Sequence, residues 1–158
     1  MTEAPPSVPA DDKNWTWVLD RPCPECGFDA PGIAPSGVGA MIRANAQAWT
    51  GVLQRPDVRA RPADATWSPL EYACHVRDVF RVYDERLARM LTEDDPHYPN
   101  WDQDATAVAD NYSAQDPVVV ADELVAAAAA LAARFDEVDG DQWERLGTLG
   151  DAATFTVE

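Results

Sequence analysis

Basic side chains are scarce in this sequence. Lysine occurs once, at Lys13, and Lys+Arg total 12 against 28 Asp+Glu, for a formal charge of -16. Such a chain repels phosphate backbones and anionic headgroups. No Lys/Arg cluster offers a local exception, so the composition argues against nucleic acid as a partner. Long apolar runs are missing too. Nowhere do about 18 apolar residues follow one another, the length a spanning helix needs, so no membrane role is expected. The start, M-T-E-A-P-P-S-V-P-A-D-D-K, lacks the basic residues and apolar stretch of a secretory signal. It reads as a disordered leader over residues 1–13 of a cytoplasmic protein. Three cysteines are too few for a disulfide framework and point to metal, thiol chemistry or plain packing. There are only two histidines, His75 and His97, so the position of each carries weight.

What is present suffices for one core. The 158 residues suit a single domain, 46% of them are hydrophobic, and six are Trp. Residues 14–35 form an N-terminal segment. Asn14 to Asp20 reads as a short extended aromatic stretch, followed by a loop dense in Pro, Gly and Cys. The remainder, 36–158, is helical in pattern. A first helix is expected from Ser36 to Leu53, with Val38, Met41, Ile42, Ala48, Trp49, Val52 and Leu53 recurring at helical spacing and Asn45 inside that stripe. A second starts at W-S-P-L-E. Ser68 is the N-cap, Pro69 occupies the first position, Glu71 completes a capping box, and Trp67 staples against Tyr72. Its apolar face reads Tyr72, Val76, Val79, Phe80, Tyr83, Leu87, Met90 and Leu91. Glu93 to Tyr112 is polar and irregular, with a short helical piece from about Asp102. A third helix runs from Pro117 to Val138, capped by Asp116. The final Thr156-Val157-Glu158 reads as the start of a further helix. Three long one-sided helices make an all-α, up-down bundle whose stripes want a fourth partner.

Few residues can carry chemistry. His75 borders the second helix's stripe. It is either a core-edge histidine bonded to a carbonyl or water, or a metal ligand or general base facing the bundle interior. Asn45 would approach it if the first two helices are antiparallel neighbours, and is the candidate for holding a cofactor or second substrate. Cys23 and Cys26 in C-P-E-C-G form half of a zinc knuckle, either ligating an ion, shared across a dimer, or simply a turn with two reduced thiols. His97 is a further donor on a flexible loop. Cys74 reads as a small buried hydrophobe.

Three stretches, W-S-P-L-E-Y-A-C-H-V-R-D-V, the upstream R-A-N-A-Q-A-W and the loop P-N-W-D-Q-D, resemble the DinB/YfiT-like superfamily. The resemblance runs from Ser36 to Glu158. It implies a four-helix bundle with a divalent metal, zinc or nickel. One His on the second helix, matched by His75, would hold the ion together with a His or Glu and a His four apart on the last long helix. It further implies a low-molecular-weight thiol such as mycothiol or bacillithiol, used in transfer or isomerisation, as in maleylpyruvate isomerase-like members. This chain reaches Glu158 where the last helix would begin, so that helix and its ligand pair are expected to be missing or supplied by another chain. The expectation is therefore a metal-dependent thiol transferase or isomerase type of protein, with its site incomplete as written. The alternative is a non-catalytic helical module that forms a homodimer or binds a protein partner through the open groove.

Overall fold

The computed structural model describes residues 8–9, 15–150 and 153–158. Apart from Val8 and Pro9, the leader expected over 1–13 lies outside the described residues. The fold is mostly helical, as expected: α1 (Val38–Leu53), α2 (Pro69–Thr92), α3 (Gln103–Ala109) and α4 (Pro117–Asp136).

Local chemistry sets the helix ends. At α2 the Ser68 hydroxyl accepts the Glu71 N–H at 3.3 Å, and the Glu71 carboxylate accepts the Ser68 N–H at 2.8 Å. Trp67 meets Tyr72 edge-on at 5.5 Å, the staple that fixes how the chain enters the helix. Asp116 caps α4 by accepting the Val118 and Val119 N–H groups. Asp102 caps α3 through the Ala105 N–H, close to where a short helical piece was expected.

The packing is centred on α4. Helix α4 packs on both α1 and α2, which touch each other far less. Small residues draw α4 in. Gly39 of α1 is buried, and a Cβ there would stand only 2.9 Å from the Ala132 carbonyl oxygen of α4. Val120, Leu124, Ala128, Leu131 and Ala132 line the buried face of α4. A leucine buried as fully as Leu70 or Leu124 contributes about 1.5–3 kcal/mol by leaving water.

Three further expectations are corrected. The segment before Asp20 is not extended: Thr16–Leu19 forms a 3-10 turn. His97 is not on a loop. It lies in β1 (His97–Tyr98), which pairs parallel with β2 (Leu146–Leu149), itself antiparallel to β3 (Ala153–Thr156). Thr156 accordingly ends a strand rather than starting a helix. Gly147 lets this sheet close on the bundle. A Cβ there would overlap the Tyr98 hydroxyl and sit 2.9 Å from Met90 Cγ. Among the described residues no helix is long and apolar enough to cross a membrane.

Candidate functional site around His75

Helix α2 is turned relative to the expected stripe. Its buried positions are Leu70, Glu71, Ala73, Cys74, Arg77, Asp78, Phe80, Leu87 and Met90, so Phe80, Leu87 and Met90 of the expected stripe do face the core. Tyr72 and Tyr83 of the expected stripe are 41% and 52% exposed, and Val76 and Val79 are only half-buried between them. The turn has an ionic cause. Arg77 is 3% exposed and makes four side-chain bonds: two to Asp78 (2.9 and 3.1 Å), one to Gln115 (2.7 Å) and one to Glu123 of α4 (2.8 Å). Asp78 also accepts from Arg81 at 3.1 Å and from the Tyr112 hydroxyl at 2.5 Å. Burial alone would raise the Asp78 carboxyl. The bonds from Arg77 and Tyr112 more than offset that and hold it below its ordinary range. A pairing this complete lets two charges take core positions that apolar periodicity would assign elsewhere.

His75 stands on the half-open side of this helix. Its ring lies 5.4 Å from Trp67, tilted by 50°, and 5.4 Å from Trp101, stacked to within 2°. Trp101 is itself tied down, its indole N–H donating to the Thr106 hydroxyl at 2.9 Å. The His75 Nδ1 atom is buried and has no hydrogen-bond partner. Desolvation pulls the imidazole pKa below its usual value, while the nearby charges of Asp78 and Asp104 pull the other way. At neutral pH the ring is therefore uncharged, the form that can ligate a metal or accept a proton.

The other expected site residues do not gather at this ring. Asn45 is exposed on α1 and falls outside the buried face, which runs through Gly39, Ala46 and Leu53. With α4 packed on both helices, α1 and α2 touch each other far less, so the neighbour arrangement that would bring Asn45 towards His75 is not the main packing. Glu71 precedes His75 by four residues, a spacing suited to shared ligation. Its carboxylate is instead taken by the cap and by Arg61, whose Nε donates at 2.9 Å. Cys74 is fully buried, donates to Gln115 at 3.6 Å, and has its thiol pushed up by desolvation to about 12. Such a thiol is no nucleophile at neutral pH. Cys23 and Cys26 lie in the N-terminal loop, half-buried and exposed respectively. Among the described residues no group of three or more His, Cys, Asp or Glu side chains converges to hold an ion.

Beyond Trp101 opens a cavity of about 460 Å³, lined by Arg86, Arg89, Tyr98, Asn100 and Trp101 among others. Arg89 is bound to Glu93 at 3.0 Å, whereas Arg86 packs over the rings of Tyr83 and Tyr98 and donates to the Pro99 carbonyl. Sequence reasoning had singled out neither Trp101 as a stacking partner nor Arg77 and Asp78 as a buried pair.

A family model described as the DinB superfamily matches residues 40–158. No curated protein and no solved structure matches the chain.

Proposed function

The chain belongs to the DinB superfamily, and from that premise we propose that it is a metal-dependent protein of the thiol-transferase or isomerase type in which His75 is one metal ligand. The observation that carries this reading is the His75 ring itself, held between two tryptophans, neutral, with a buried nitrogen that has no partner. A structural histidine in such a position would ordinarily be hydrogen-bonded. A bound divalent ion, zinc or nickel, would lower the pKa of an incoming low-molecular-weight thiol such as mycothiol and keep it as thiolate. The residues of this chain do the rest. Trp67 and Trp101 fix the imidazole plane, and the staple and capping box fix where α2 begins. The cavity behind Trp101 has room for a small second substrate. A cytoplasmic location, where such thiols are kept reduced, belongs to the same reading.

Nickel or zinc titration of the purified chain tests the proposal, followed by isothermal calorimetry and by ring-proton NMR of His75. Binding that shifts the His75 resonances and disappears in His75→Phe supports it. His75→Phe fills the same slot without the unpaired nitrogen, so the variant should melt no lower than the parent while losing the metal. Unshifted His75 resonances at saturating metal would overturn the assignment.

A second reading has its own observation. The stripe Tyr72, Val76, Val79 and Tyr83 on α2 is apolar and half-open, the kind of seam a partner helix covers. A non-catalytic module using that seam would form the same complex whether or not metal is present.

A further inference from the structure

The C-P-E-C-G-F loop takes no part in the His75 site, yet it is closely organised. The Cys23 N–H donates to the Phe28 carbonyl at 2.7 Å, and the Gly27 N–H to the Cys23 carbonyl at 2.8 Å. Gly27 adopts φ +74°, which lets the chain reverse immediately after the second thiol. The Cys23 and Cys26 side chains are close enough to interact, and thiolate is the form that ligates metal. A dithiol redox motif is the weaker explanation. No helix starts at Cys23 or Cys26, since the next helical turn begins at Ala30, so the usual helix-dipole support for a reactive thiolate is lacking.

We propose that this loop is half of a tetrathiolate zinc site, completed by Cys23 and Cys26 of a second copy of the chain around a two-fold axis. Structural zinc takes four ligands in a tetrahedron. Among the described residues the two thiols meet no third donor. Cys26 is exposed, and so within reach of another molecule. At the end of the loop Phe28 is 44% exposed, an apolar surface that a second copy would cover. A two-fold contact uses the same patch on both partners, as a self-complementary knuckle requires. Each chain carries a formal charge of -16, and four thiolates around one Zn²⁺ leave a net negative centre. Like charge opposes the pairing, so the dimer depends on the ion and tightens as salt screens the repulsion. Each thiol that binds releases its proton, so assembly weakens as pH falls.

The inference is independent of the reading for His75, and its test is arranged to keep the two apart. The His75→Ala chain is loaded with zinc alone and freed of excess, then examined by elemental analysis and sedimentation. Half an equivalent of zinc per chain and a dimeric mass are expected, and both disappear on chelation. Cobalt in place of zinc should give intense thiolate charge-transfer absorption. Cys26→Ser, an exposed substitution that leaves the core untouched, should lose ion and dimer together. Retention of no zinc, one zinc on a monomer, or a dimer that survives both chelation and Cys26→Ser would each overturn the proposal.

Discussion

Removing Arg77 tests the ionic account of how α2 is oriented. Arg77→Met keeps much of the side-chain volume and deletes all four bonds. Breaking a buried pair by removing one partner costs about 3–5 kcal/mol, because the other charge is stranded. Here the stranding is partial. Asp78 keeps Arg81 and the Tyr112 hydroxyl, Gln115 still binds the Asp110 carbonyl, and Glu123 is exposed enough to be hydrated. The lower end, about 3 kcal/mol, therefore applies. For a chain of this size that is a fall in Tm of roughly 6–12 °C. Asp78→Leu alone strands Arg77 in the same way. The double variant strands neither, so its cost should fall short of the sum of the singles by more than about 1 kcal/mol. Urea melts followed by circular dichroism at pH 7 measure all three. Single costs under about 1 kcal/mol, or costs that simply add, would refute the reasoning. The pH dependence carries a definite sign. The folded Asp78 pKa is depressed, so its contribution is complete above the unfolded value of about 3.9 and is lost as pH falls through the lower folded value.

Two further outcomes follow from single atoms. Tyr98→Phe deletes a buried hydroxyl that has no partner, so urea melts should show a change near zero or a gain of about 1 kcal/mol; a loss of 2 kcal/mol or more, on the order of a broken buried bond, would mean the hydroxyl is bonded after all. The His75 ring should titrate below its ordinary midpoint by NMR, and Asp104→Asn should lower the midpoint further by removing a charge that favours the protonated ring. Because folding favours the neutral imidazole, stability is intact above the unfolded value of about 6.5 and declines as pH drops below it. A His75 midpoint above that value contradicts the burial argument.

The helices were legible where one local rule decided them. Ser68, Pro69 and Glu71 announce α2, and Asp116 announces α4, because caps are read within a single turn. Faces were less legible than spans. On α1 the stripe drawn through Met41 and Ala48 admitted Asn45, yet both of those residues are exposed. The partner helix instead selects the small residues Gly39 and Ala46, which allow close approach but carry little hydrophobic signal. On α2 the apolar stripe passes over the polar pair Arg77 and Asp78, whose partners Tyr112, Gln115 and Glu123 lie more than 30 residues away. The sheet was missed for a related reason. Its strands are two to four residues long, too short for alternation to show, and β1 pairs with a strand far along the chain.

The two sides of α2 are coupled. Satisfying Arg77 and Asp78 within the core leaves Tyr72, His75, Val76, Val79 and Tyr83 together on the half-open side of the helix. An unpaired buried nitrogen on that side costs about 1–3 kcal/mol, and nothing in the packing of Trp67 or Trp101 relieves it. Stacking fixes the ring plane but offers Nδ1 no donor or acceptor. A purely structural slot of this shape would be better filled by phenylalanine. The arrangement makes physical sense when the imidazole has a task that phenylalanine cannot perform, and a neutral imidazole held by stacking is suited to binding an ion or moving a proton.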